Sequence, residues 1–283
     1  MILTVTVTDK KGRLIENMSP DHFTILHKDE PQKIEYFCPG ETRSSIGILL
    51  DVSGSMIHRN NRDALLNLKE HILRFVQQSP ASTEYFLMAF GERIQFVGWT
   101  SSAAVIKGGL GQVAVMKGAT PLYDAIFTAL EQFRERPDRK RVLLLITDGM
   151  DNNSNHRFDQ TVKFLRESNV LVYGIDYLEV IGAVAAGLFE PGQAALTQFS
   201  KITGGSALFP RSPRELTAVF DAVASELRNQ YSMGFRPTGV PDGKWRQIRV
   251  KVKPVEVRDP DKPRESPRMM ELNARTREGY YAK

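Results

Sequence analysis

One stretch constrains the chain more than any other: Ile46-Gly47-Ile48-Leu49-Leu50-Asp51-Val52-Ser53-Gly54-Ser55-Met56. The run 46–50 carries no charge and has the length and content of a strand buried on both faces, as in the middle of a parallel sheet. It ends in an aspartate, and two hydroxyls follow at alternate positions. They fall where a parallel strand gives way to the loop before a helix. In open α/β sheets, ligands bind beyond those carboxyl ends. One carboxylate and two hydroxyls, without thiol or imidazole, are hard oxygen donors. They suit Mg²⁺, Mn²⁺ or Ca²⁺ rather than zinc or copper.

Two later stretches extend the pattern. Gly118-Ala119-Thr120-Pro121-Leu122-Tyr123-Asp124 precedes a helical run, and Val142-Leu143-Leu144-Leu145-Ile146-Thr147-Asp148-Gly149 is a second apolar strand ending in an aspartate. Together the three stretches resemble the von Willebrand factor A (VWA) domain and its metal-ion-dependent adhesion site. That family's motif is Asp-x-Ser-x-Ser, a distant Thr and a distant Asp, matched here at Asp51, Ser53, Ser55, Thr120 and Asp148. The resemblance covers roughly residues 43–230.

The resemblance implies that Ser53, Ser55 and Thr120 coordinate a divalent cation, Mg²⁺ or alternatively Mn²⁺ or Ca²⁺. Asp51 and Asp148 would bind it directly or through water and orient the hydroxyls. Two carboxylates only balance the ion's charge, and the family uses the open position for an acidic side chain of a partner protein. Asp124 and Asp151 lie close in sequence to these residues. For them a helix-cap or solvated-loop role weighs at least as much as a supporting role at the site.

The rest of the chain supplies the frame. Residues 2–8 alternate Leu3, Val5, Val7 against Thr4, Thr6, Thr8, as in a half-buried strand. Phe23, Ile25 and His27 alternate again, Asp29-Glu30-Pro31 reads as a turn, and Ile34–Phe37 reads as a further strand. From residue 43 onward, strands alternate with helices. Helices are expected over 62–78, 122–134, 158–167, 193–203 and 213–229. Strands are expected over 85–90, 93–97, 141–147, 170–176 and 207–209, with 85–97 as an antiparallel hairpin. Residues 102–112 are Gly-rich and suggest a short helix and a loop. The apolar stretch 178–190 suggests a partly exposed loop, and the charged, Pro-rich stretch 258–267 an exposed one. Residues 231–235, 245–253 and 270–274 turn β-rich again.

The expected fold is therefore α/β: a mostly parallel, Rossmann-like sheet flanked by helices. It is inserted in a small β-sandwich built from both chain ends, each too short for a core of its own. The corresponding segments are 1–42, 43–230 and 231–283. The ends also resemble a bacterial VWA-related subgroup, through Arg-x-x-Tyr-x-x-Gly-Phe-x-Pro at Arg228–Pro237 and Arg-x-Gly-Tyr-Tyr at Arg277–Tyr281. That subgroup is often exported, which implies a secreted or periplasmic protein. No signal peptide is visible, since Met1 runs straight into a strand.

Composition narrows the partners. No apolar run approaches the roughly 20 residues of a membrane helix, so no integral membrane segment is expected. A net charge of +5 is mild and does not call for nucleic acid. Cys38 is the only cysteine, which rules out an intrachain disulfide. The basic stripe Arg249, Lys251, Lys253 reads as a solvated strand face, and Trp99 and Trp245 as core residues.

The leading expectation is a binding module that takes an acidic side chain of a protein partner in a cation-dependent way, without turnover. A structural subunit, with the metal stiffening a permanent docking face, is the alternative. A metal-dependent phosphohydrolase ranks lower, because the aspartyl-phosphate pattern Asp-x-Asp has Ser53 in its second place. The chain has neither the Gly-x-Ser-x-Gly elbow of serine hydrolases nor a Gly-x-x-x-x-Gly-Lys phosphate loop.

Overall fold

The computed structural model describes residues 1–40, 42–54, 62–116, 118–136, 139–177, 190–237, 241–257 and 268–282. The chain divides into two compact units. One is Arg43–Ala224, and the other joins Met1–Thr42 to Ser225–Lys283.

The first unit is built on a six-stranded sheet. Its strands are β5 (Ser44–Asp51), β6 (Glu84–Phe90), β7 (Ile94–Thr100), β8 (Lys140–Ile146), β9 (Leu171–Ile175) and β10 (Ala207–Leu208), in the order β10-β9-β8-β5-β6-β7. All neighbours are parallel except the β6–β7 hairpin at one edge. Every residue of β5 is buried, as a central strand covered on both faces requires. Leu49, Leu143, Leu145 and Val172 pack on one face against helices α3 (Leu122–Gln132), α4 (Phe158–Ser168) and α5 (Glu190–Thr203). Ile48, Leu50, Leu144 and Ile146, which alternate with them, are buried too, so the opposite face is also covered. The other α-helices among the described residues are α1 (Arg62–Gln78), α2 (Ala103–Gln112) and α6 (Pro213–Asn229). Helices α1 and α6 meet through Phe75 and Phe220, ring centroids 6.1 Å apart.

Helix α2 is longer than its glycines suggest. Ser102 caps it by accepting from the Val105 N–H. Gly109 stands where a Cβ would be driven into Val97 of β7. Glycine here permits a close helix–sheet approach rather than a loop. Trp99 packs edge-on against Phe86 and Phe133, at 4.9 and 5.5 Å, inside the same unit.

The second unit interleaves the two chain ends. Strands β1 (Ile2–Asp9), β4 (Tyr36–Cys38), β11 (Tyr231–Gly234) and β15 (Leu272–Arg275) form one antiparallel sheet, in the order β15-β1-β11-β4. Strands β2 (Phe23–His27), β3 (Glu30–Gln32), β12 (Trp245–Val252) and β16 (Gly279–Tyr281) form the other, in the order β16-β12-β2-β3. Leu3, Val5 and Val7 of the first sheet share one core with Phe23, Ile25, Ile248 and Val250 of the second. This is a sandwich whose strands pair head with tail of the chain. On β12, Arg249 and Lys251 face solvent while Ile248 and Val250 are buried, the period-2 pattern of a half-covered strand.

Two expectations are corrected here. Asp29-Glu30-Pro31 is not the turn: Lys28 and Asp29 form it, both at positive φ as a type I′ hairpin requires, and Glu30–Gln32 pairs with β2. A further hairpin, β13 (Val255–Val257) with β14 (Arg268–Met270), has strands too short to read from periodicity. The stretches 178–189 and 258–267 lie outside the described residues, and α5 begins at Glu190, three residues earlier than the pattern implies.

Candidate metal centre

The edge of interest lies at the carboxyl ends of β5 and β8. These strands are adjacent and parallel, paired from Ser44↔Lys140 to Leu50↔Ile146. From β5 the chain proceeds to β6 on one side, while β8 and β9 lie on the other. The gap between β5 and β8 is thus a topological switch point, the place where open α/β sheets form a crevice. Asp51 ends β5, and Thr147 and Asp148 follow β8.

Asp51 is fully buried. Its Oδ1 accepts from the Ser53 N–H at 2.9 Å, and its Oδ2 accepts from the Thr147 hydroxyl at 2.7 Å. Burial pushes its carboxyl up to about 6, against the pull of the Ser53 and Thr147 hydrogen bonds, and the Asp148 carboxylate adds to the rise. Ser53 and Thr120 are buried at the same edge, and Asp148 Oδ1 accepts from the Met150 N–H at 2.9 Å. Ser55, the remaining residue of the motif, lies outside the described residues, as does His58.

Thr120 is delivered by two backbone clamps. The Met116 N–H donates to the Val52 carbonyl at 2.8 Å, tying the incoming loop to the segment after β5. Thr120 N–H donates to Asn152 Oδ1 at 2.7 Å, and Asn152 N–H donates back to the Thr120 carbonyl at 3.2 Å. The loop after Asp148 is thereby stitched to the loop carrying Thr120.

Asp124 and Asp151 complete that stitching. Asp151 accepts from the Tyr123 N–H in the first turn of α3 at 3.2 Å, and its carboxylate also receives the Ser154 hydroxyl. Asp124 accepts from the backbone N–H groups of Asn155 and His156, at 2.9 and 3.0 Å, and lies 2.6 Å from His156 Nδ1. Those hydrogen bonds hold its carboxyl below the ordinary range despite some desolvation. Both aspartates act as clamps on the 151–156 loop. Asn152 and Thr147 carry weight that the sequence pattern did not single out. Thr147 is visible only as one more residue before an aspartate, and Asn152 as one of two asparagines in a polar loop.

Gly149 marks a close approach. Its φ is +78°, and a Cβ there would collide with the Gly192 carbonyl of α5. Two glycines therefore bring the first turn of α5 against the backbone of Asp148 and Gly149.

The donors assembled are two carboxylates and hydroxyls. Among the described residues, no group of three or more His, Cys, Asp or Glu side chains is placed to hold a metal, so any ion here depends on the hydroxyls. The chemistry fits a hard divalent cation: two buried, mutually repelling carboxylates beside neutral oxygens in a crevice.

Residues 46–150 match the family model of the von Willebrand factor type A domain. No curated protein matches the chain. Among solved structures, it is similar to the conserved hypothetical protein BatB from Bacteroides thetaiotaomicron, at 19% identity and a TM-score of 0.50 over 65% of this chain and 97% of that one. An aerotolerance-related membrane protein from Bacteroides fragilis NCTC 9343 is similar at 18% identity and a TM-score of 0.50, over 65% of this chain and 98% of that one. Proximal thread matrix protein 1 from the mussel byssus, in a structure with a zinc-occupied MIDAS motif, is similar at 22% identity and a TM-score of 0.53. That match covers 72% of this chain and 49% of the mussel one. At such identities the likeness is one of fold, and it agrees with the sheet order and flanking helices found here. The segment that matches the von Willebrand factor type A model runs from the buried strand of Asp51 to the loop after Asp148.

Proposed function

We propose that the chain is a divalent-cation-dependent protein-binding module that takes an aspartate or glutamate side chain of a partner protein. The ion would be held by Asp51, Ser53, Ser55, Thr120 and Asp148, within the segment 43–230. The observation that carries the reading is the charge state of the edge. Asp51 is fully buried, and the Asp148 carboxylate at the same edge raises its carboxyl further. A divalent cation would neutralise these carboxylates and, when bound, supply a Lewis-acidic position open to an outside carboxylate.

This chain's own residues do the rest. Thr147 orients Asp51, Asn152 fixes Thr120, and the paired glycines 149 and 192 hold Asp148 against α5. Mg²⁺ suits neutral hydroxyls and retained waters best, with Mn²⁺ and Ca²⁺ as substitutes. Binding proceeds without turnover. We place the protein outside the cytoplasm of a bacterium, in keeping with the membrane protein of Bacteroides fragilis that shares its fold.

The test is an array of peptides, each with one central Glu, Asp, Gln or Asn, probed with the full chain in Mg²⁺ and in EDTA. Retention by Glu or Asp peptides in Mg²⁺, lost in EDTA, with Gln and Asn, and in Thr120→Ala, is the expected result. Retention that persists in EDTA and in Thr120→Ala would favour a permanent docking face, with the cation only stiffening the loops.

A further inference from the structure

Tyr177 lies two residues beyond the end of β9. Since Ile175 pairs with Ile146, Tyr177 stands laterally beside Asp148 at the same sheet edge. The Thr147 N–H donates to the Ile175 carbonyl at 3.1 Å, which carries the β8–β9 pairing to the aspartate. The Tyr177 side chain is 1% exposed, and its hydroxyl has no hydrogen-bond partner among the described residues. A buried phenol in that state lowers stability, because its lost hydration is not replaced. It also lies in the field of both site carboxylates. Burial, with Asp51 and then Asp148, pushes its ionisation well above the ordinary phenol range, so it stays a neutral O–H at any physiological pH.

We propose that Tyr177 is a positioning residue of the cation site, its hydroxyl accepting a hydrogen bond from a water of the ion's shell and donating to a site carboxylate. The proposal rests on the reading of Asp51, Ser53, Ser55, Thr120 and Asp148 as cation ligands. A phenol suits the task because it both donates and accepts, whereas the carboxylates around it only accept. Mg²⁺ keeps several of its waters when bound, and those waters need acceptors in a closed site. An orphan hydroxyl is then a group whose partner arrives with the ion. Outer partners of this kind typically change metal affinity by about 10–100-fold. Ser200 offers a contrast. Its hydroxyl is equally buried and also without a partner among the described residues, but it sits on α5 against Gly174, away from the site carboxylates.

The experiment compares wild type, Tyr177→Phe and Ser200→Ala as full chains, by calorimetric titration of EDTA-stripped protein with Mg²⁺ and by thermal unfolding without metal. The expected result is a loss of about tenfold in Mg²⁺ affinity for Tyr177→Phe alone. Its metal-free Tm should be equal to or above that of wild type. Unchanged affinity in Tyr177→Phe, with wild type binding normally, overturns the role of Tyr177 and leaves the cation site standing. Weaker affinity together with a lowered metal-free Tm overturns it as well, because Tyr177 would then be a packing residue. No Mg²⁺ binding by wild type overturns the cation site itself, and this role with it.

Discussion

The Thr147 hydroxyl donates to Asp51 Oδ2 at 2.7 Å, joining the ends of two adjacent parallel strands in a fully buried setting. The residue that precedes one site aspartate thus fixes the carboxylate of the other. Thr147 Oγ1 also accepts from the Gly149 N–H at 3.2 Å, so one hydroxyl bridges both strand ends. Replacing it with the isosteric valine should cost about 1.5–3 kcal/mol, the range for a hydrogen bond to a charged group. Mg²⁺ affinity should fall about tenfold as Asp51 loses its orientation. Thr147→Ser should restore both in urea unfolding and metal titration; a valine variant as stable and as tight as wild type would remove Thr147 from the account.

Asn152 separates the clamp from the ligands. It is exposed, and its side chain fixes Thr120 only through the backbone N–H. Asn152→Ala should change global stability by less than about 1 kcal/mol. It should still weaken cation binding several-fold and speed hydrogen exchange at the Thr120 amide, read by calorimetry and by amide exchange.

Gly149 and Gly243 make a controlled pair. Both have positive φ, +78° and +68°, but a Cβ at Gly149 meets the Gly192 carbonyl, whereas a Cβ at Gly243 meets open space. Gly243→Ala should therefore cost only the left-handed backbone penalty, about 1 kcal/mol. Gly149→Ala should cost about 3 kcal/mol or more, since the first turn of α5 must move away. Denaturant unfolding of the two variants would show equal losses if the close approach did not matter.

The sandwich should be sensitive to acid at His27. This ring is 3% exposed, its Nε2 has no partner among the described residues, and Phe235 and Tyr280 lie 6.3 and 5.9 Å away. Burial, then the charges of Lys28 and Arg246, depress its ionisation, while Glu30 opposes them weakly. The folded state prefers the neutral ring. Stability is therefore full above the unfolded value of about 6.5 and is lost as pH falls through it toward the depressed folded value. His27→Phe should flatten the fall in Tm between neutral pH and about pH 5. An unchanged pH profile would place the acid sensitivity elsewhere.

Much of the frame is legible in the sequence because the signals are local and strong. The charge-free run of β5 announces a strand covered on both faces, and the alternation at 245–253 announces a half-covered one. The chain ends could be joined into one sandwich because neither was long enough for its own core. The turn at Lys28–Asp29 was hidden because neither residue is a glycine or proline, and Pro31 drew the turn two residues too late. Helix α2 was obscured by glycines that serve packing against β7. At the site, the proposed oxygen donors rest on residue type and order. Their supports cannot be read that way, because Thr147, Asn152 and Tyr177 acquire their roles by strand register and loop stitching across long sequence distances. Asp124 and Asp151 resolve into loop clamps only once their acceptor bonds are seen.

The proposed edge of Asp51, Ser53, Ser55, Thr120 and Asp148 is expected to hold one divalent cation. Calorimetric titration of EDTA-stripped protein with Mg²⁺, Mn²⁺ and Ca²⁺, beside Asp51→Ala and Thr120→Ala, tests it most directly. One saturable site per chain is expected, abolished in Asp51→Ala and weakened at least tenfold in Thr120→Ala. Wild-type protein that takes up no cation, even with a high concentration of acetate or glutamate to complete the shell, would contradict it, as would cation binding that both variants retain.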